Sequence, residues 1–291
     1  MNHQESIFRF GRWQVACRAD DGARLSAVAF DGIDLLTAPP PHFEPTGATA
    51  GPFEHRPVFG YDDCWPGVDA CTMPELWPAS PDHGELCFLP WHVERQGDAL
   101  VCRVRSRLYD ATFLRTLHFG PRTIRWDFSV ESHGGNPLPF LHAMHGLMPP
   151  ENITRLRLPP FASATDEGSG KPFPISTPEE LERFLLTRPT GFASTVLVSG
   201  LREGRVELGL RSGLSLSIRY PTERMPTLAI WWNVSAWPPE VGLRRRECAF
   251  EPLTGSCSSL SRALADGTCP IVQPGRRYQW HVLWEVTSSP A

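Results

Sequence analysis

The chain reads as all-β: a large antiparallel β-sandwich carrying one or two short helices. Two observations lead there. Apolar and polar residues alternate with period two in several separate stretches, the signature of strands with one face buried and one wetter. Thirty prolines and 24 glycines punctuate the 291 residues, which argues against a helical bundle. There is no strand–helix–strand rhythm, internal repeat or low-complexity tract, so a single sandwich of many strands over residues 1–291 is the economical architecture.

In chain order, the proline-rich stretch from Ala38 to Pro57 is expected to be a long surface loop; the segment before it is too short for a domain. Cys102 to Leu108 reads as a strand with Arg103, Arg105 and Arg107 on its wetter face. Ile124, Trp126, Phe128 and Val130 alternate with Arg125, Asp127, Ser129 and Glu131. Leu138 to Leu147 reads as a further strand. Thr177-Pro178-Glu179-Glu180 combines a capping threonine, proline at the first helical position and glutamate at the third, predicting a helix to about Leu186. Leu214, Leu216, Ile218 and Tyr220 mark another strand, Ser258 to Ala265 a short helix stopped by Gly267, and Tyr278 to Val286 a last strand.

Composition bounds the function. With 41% hydrophobic and 21% charged residues the chain can bury a large core. A formal charge of −4 gives bulk attraction to neither nucleic acid nor anionic membrane, and no apolar run approaches the ~20 residues of a membrane helix. Lys171 is the only lysine; the arginine bias fits bidentate anion binding or simple compositional drift, and drift is the stronger reading. Eight cysteines occur without a CxxC pair, so a four-thiolate zinc site is not indicated. Met1 to Gln14 lacks the pattern of a secretory leader, so the thiols are expected reduced, mostly in the core, and the protein cytoplasmic.

Three motifs carry candidate chemistry. His142 and His145, three apart on one strand, point to opposite faces, so a shared metal would need a bulge, for which Gly146 is placed. His142 reads as a hydrogen-bonded core residue; for His145 the core and functional readings balance. Glu251 ends an apolar run, where desolvation would raise its pKa toward that of a useful base; the competing reading is a rim carboxylate paired with Arg244, Arg245 or Arg246. His83, in Asp82-His83-Gly84-Glu85, has turn chemistry and is either a loop histidine beside a site or an exposed one without a role, with Glu85 orienting it or solvated. Asp62-Asp63 fits hydroxyl binding or an Asx turn. The tryptophans near these motifs fit sugar stacking or, more commonly, core packing.

Taken together, Gly60-Tyr61-Asp62-Asp63-Cys64-Trp65-Pro66, Asp82-His83-Gly84-Glu85-Leu86 with Trp91, Ala143-Met144-His145-Gly146-Leu147 and Glu251-Pro252-Leu253-Thr254-Gly255 resemble the aldose 1-epimerase (galactose mutarotase-like) family, over roughly Phe59 to Val286. The resemblance implies the family's galactose mutarotase-like supersandwich, with a sugar lying across one sheet and no cofactor. It places the acid histidine on His145, the base on Glu251, and sugar contacts on His83, Asp63, Trp65 and Asn233. Gly146 stands where the family usually has proline, and the family's arginine finds no clear counterpart. The implied reaction is interconversion of α and β anomers: Glu251 takes the proton of the anomeric hydroxyl, His145 protonates the ring oxygen, and the opened aldehyde rotates and recloses. Three alternatives stay open: a hexose-6-phosphate 1-epimerase, a non-catalytic carbohydrate-binding protein, and a metal-dependent isomerase or lyase using His83, His142 and Glu251, which the two-residue face logic disfavours.

Overall fold

The computed structural model describes residues 5–40, 53, 56–240, 242 and 244–288. Every named strand pairing among them is antiparallel. The first sheet runs, in spatial order, Ser6–Phe10, Trp13–Arg18, Arg24–Phe30, Tyr61–Cys64, Ala143–Gly146, Arg246–Leu253, Thr227–Val234, Phe192–Ser199, Ser163–Asp166 and Lys171–Pro172, with Ile33–Asp34 beside Arg24–Phe30. The second runs Ile153–Arg157, Arg205–Leu210, Leu214–Arg219, Arg277–Ser288, Thr123–Ser132, Ala111–Phe119, Ala99–Arg105 and His92–Gln96. This is the large sandwich the alternation predicts, and the strands at 99–105, 123–132, 214–219 and 277–288 lie where the pattern put them.

The core forms between the sheets because each contributes one apolar stripe at period two. Trp126, Phe128, Trp280 and Trp284 of the second sheet are buried against Tyr61, Met144 and Ile230 of the first in one continuous cluster. Tyr61 and Trp126 pack with ring centroids 4.7 Å apart.

The helix at Pro178–Leu186 starts as its capping box requires, Thr177 accepting a hydrogen bond from the Glu180 amide at 3.3 Å. The second helix begins later than the sequence suggests, at Leu260. Ser258 is committed elsewhere: its carbonyl accepts from the Val68 and Asp69 amides, and its amide donates to Glu167 at 2.9 Å. The expected strand over Leu138–Leu147 is split into Leu138–Pro139 and Ala143–Gly146, because the Leu141 amide bonds Pro66 O and the His142 amide bonds the Thr254 side chain rather than a ladder partner. Most of the expected loop from Ala38 to Pro57 lies outside the described residues. All eight cysteines are free, six of them buried. No helix among the described residues is long and apolar enough to cross a membrane.

Candidate active site

The site is built on the face of the first sheet that points away from the second. Tyr61–Cys64 pairs with Ala143–Gly146 in the register Asp62↔His145 and Cys64↔Ala143. Alternation then sends Tyr61 and Asp63 inward, and Asp62 and Cys64 outward with His145. On the other side, Ala143 pairs with Leu253 and Met148 bridges Cys248. Holding that register between the two points places His145 directly opposite Glu251 on the neighbouring strand, so both side chains rise from one face. One strand further, Ala229 pairs with Glu251 and Trp231 with Ala249. Trp231 thus stands diagonal to Glu251, its indole N–H donating to Glu247 at 3.3 Å.

His83 is brought over this face by a turn. Gly84 bridges Trp65, and the Glu85 amide donates to Trp65 O at 2.9 Å. A side chain at Gly84 would stand 2.0 Å from that carbonyl, and its φ is +73°, so the close approach requires glycine. His83 itself has φ +56°. The result is a ring pair, His83 and His145, with centroids 5.1 Å apart. Phe53 covers both, stacked on His83 at 3.8 Å and edge-on to His145 at 5.3 Å. Asp82, not Glu85, orients His83, its Oδ1 lying 2.8 Å from Nδ1. Glu85 is turned the other way, accepting from Ser106 and from the amides of Arg107 and Leu108.

Burial sets the charge states. Glu251 is 5% exposed and makes no hydrogen bond or ion pair with a described residue; Arg245 pairs instead with Glu247 and Arg246 with Glu151. Desolvation, reinforced by the like charge of Glu167, pushes its carboxyl up to about 8. His145 is 6% exposed, and its buried Nδ1 has no partner. Desolvation, together with His83, Arg24, Arg245 and Arg56, holds its imidazole well below its usual pKa. Without a polar ligand and near neutral pH, the pair therefore carries one proton, on Glu251.

Three expected sugar contacts lie elsewhere. Asp63 is sealed between the sheets: it pairs with Arg115 at 2.5 Å, accepts from Tyr61 Oη at 2.6 Å and contacts His142 Nε2 at 3.0 Å. Burial opposes its charge, but Arg115 and these hydrogen bonds outweigh that and hold its pKa down. Trp65 is fully buried against Tyr109 and Phe113. Asn233 is fully buried and holds a turn, donating to Trp237 O at 2.8 Å and accepting from the Ala236 and Trp237 amides. The residues that do face His145 are the immediate neighbours, Asp62 and Cys64. Asp62 is buried, and Arg24 lies 3.0 Å from its carboxylate. His142 is on the inner face, as its spacing from His145 predicts. Trp280 Nε1 donates to His142 Nδ1 at 3.1 Å, which leaves the proton on Nε2 for Asp63. Two surface clefts, beside Met148–Ile153 and on the outer face of the second sheet around Asp127, contain none of Glu251, His145, His83, Asp62 and Cys64.

No protein-family model matches the chain, and no curated protein sequence does. Solved structures match along nearly its whole length. A protein from Escherichia coli K12, provisionally named an aldose 1-epimerase, superposes with a TM-score of 0.76 at 16% identity, covering 98% of this chain and 99% of its own. The Slr1438 protein of Synechocystis gives 0.75 at 15% identity, covering 99% and 97%. A galactose mutarotase-like protein from Clostridium acetobutylicum gives 0.71 at 14% identity, covering 98% of each chain. The chain therefore has the antiparallel β-sandwich fold of the aldose 1-epimerase and galactose mutarotase-like proteins.

Proposed function

We propose that the protein is an aldose 1-epimerase-like enzyme that opens and recloses a pyranose ring between Glu251 and His145. The observation that carries this is the opposition of these two groups on adjacent strands, on one face, in a largely dry setting, with no described residue competing for either. Mutarotation needs one group to give a proton and another to take one, at the anomeric hydroxyl and the ring oxygen. A pair holding a single shared proton has that inventory whichever member carries it at rest. Glu251 as carboxylate and His145 as imidazolium become the reacting form once the sugar's hydroxyls solvate the carboxylate. Each well-placed acid or base contributes roughly 10²–10⁴-fold.

His83, fixed by Asp82, supplies a hydrogen bond to a hydroxyl, and Trp231 offers an indole face beside Glu251. Phe53 occupies the space above both imidazoles, so the sugar reaches them by displacing its ring. A phosphate clamp is not part of this reading. The guanidinium groups nearest His145 are already matched, Arg24 with Asp21 and Asp62, Arg56 with Asp21, and Arg245 with Glu247.

The test is exchange NMR on a panel of free and phosphorylated aldoses. Enzyme-dependent exchange between anomers is expected for at least one of them, and Glu251→Gln and His145→Asn should each abolish it. Full activity in either variant overturns the assignment, and saturable binding without exchange identifies a carbohydrate-binding protein instead. Activity requires the singly protonated pair, so kcat/KM should fall above about pH 8 as Glu251 loses its proton.

A further inference from the structure

We propose that Cys64, His83 and His145 form a binding site for one thiophilic transition-metal ion of the Zn²⁺ type. The site goes beyond the epimerase reading and shares two of its histidines.

One potential ligand atom from each of the three residues lies within 4.8 Å of the other two. A tetrahedral zinc ion, with Zn–S about 2.3 Å and Zn–N about 2.0 Å, holds such atoms roughly 3.5 Å apart. Closing the set takes about an ångström of side-chain movement. The movement would fall to His83, which sits on a partly exposed turn rather than in a strand.

Three further features suit a metal. Asp82 engages Nδ1 of His83 at 2.8 Å, leaving Nε2 as the free nitrogen, the carboxylate–histidine pattern that orients metal ligands. The Nδ1 of His145 is buried with nothing to bond, a cost that an ion at that nitrogen would relieve. The Cys64 thiol is fully buried and makes no hydrogen bond to a described residue. Two imidazoles and a thiol form a mixed set of borderline and soft donors, which favours zinc over magnesium or calcium. The arginines that act on His145 are each paired with a carboxylate, which offsets part of their charge.

The binding step balances with one proton. The Cys64 S–H bond breaks as the S–Zn bond forms, H⁺ goes to solvent, and both histidines bind as neutral imidazoles. Because one proton is released for each ion bound, affinity should rise with pH. A bound ion takes the free nitrogen of His83 that the sugar would use, so metal and sugar compete.

The chelator-stripped full-length protein is titrated with Zn²⁺ by calorimetry in two buffers of different ionisation enthalpy. One ion per chain and about one released proton are expected. Co²⁺ serves as the spectroscopic probe and should give intense tetrahedral bands in the visible with a thiolate charge-transfer band in the near ultraviolet. Cys64→Ser should remove that band, and Cys64→Ser and His83→Gln should each weaken Zn²⁺ at least tenfold. His83→Gln, on the turn, serves as the test if the core substitution at Cys64 fails to fold. Zn²⁺ affinity unchanged in a folded variant, or Co²⁺ bound without a thiolate band, overturns the site. The readout needs no sugar: metal binding without anomer exchange leaves this site standing, and exchange without metal binding removes it alone.

Discussion

Replacing Glu251 by glutamine should make the protein more stable as the pH rises, even while it destroys the proposed chemistry. The carboxyl titrates near 8 in the folded protein against an ordinary 4.5, because it is almost wholly removed from water and stands near Glu167. A raised pKa means the folded state holds the proton that the unfolded chain has released. The stabilising effect of that proton is complete below about pH 4.5 and is lost as pH climbs through 8. At 1.4 kcal/mol per pH unit, the wild-type protein loses about 3 kcal/mol by pH 7 and about 5 kcal/mol by pH 9 through this group alone. Glutamine has the same shape and no proton to lose. Its stability relative to wild type should therefore climb by those amounts from pH 4.5 upward. Urea unfolding followed by tryptophan fluorescence at half-unit steps from pH 4.5 to 9 measures the difference directly. His145 is present in both proteins, so its own titration largely cancels. A difference that stays flat over that range would show that Glu251 is solvated in the folded protein, and the desolvated-base argument would fall with it.

His145→Asn should act on the acid side. The folded-state pKa of His145 is depressed, so its contribution is present above about pH 6.5 and lost as pH falls toward the folded value; the variant should lack this part of the acid sensitivity in the same unfolding assay. Asp63→Asn should cost about 3–5 kcal/mol in urea unfolding by stranding the buried Arg115 guanidinium, and the loss should be of fold, not selectively of sugar affinity. Phe53→Ala should uncover the two imidazoles and speed carbethoxylation of His145 by diethylpyrocarbonate at least several-fold, read by peptide mass spectrometry; an unchanged rate would show that Phe53 does not limit access.

Much of the fold was legible because burying one face of a strand imposes a period of two on the chain itself. The runs at 124–131, 214–219 and 278–286 became strands, and Thr177-Pro178-Glu179-Glu180 became a capped helix because its hydrogen bonds are local. The opposition of His142 and His145 followed from the same alternation. The candidate site was less legible. Asp63 and Trp65 were expected at the sugar, but Asp62 and Cys64 face His145. Trp231 carries no mark that separates it from Trp65, and Phe53 lies among prolines that read only as a loop.

The amino-acid order alone determined that strands would dominate and that the two histidines of residues 142–145 would part company, and it offered a late carboxylate at the end of an apolar run. Alternation says which residues share a face, never which face meets the second sheet. That choice belonged to tertiary structure: Arg115 arrives from a distant strand to claim Asp63, and backbone register between strands more than a hundred residues apart sets Glu251 against His145. Such partners are selected by packing across the whole sandwich, and no window of sequence contains them.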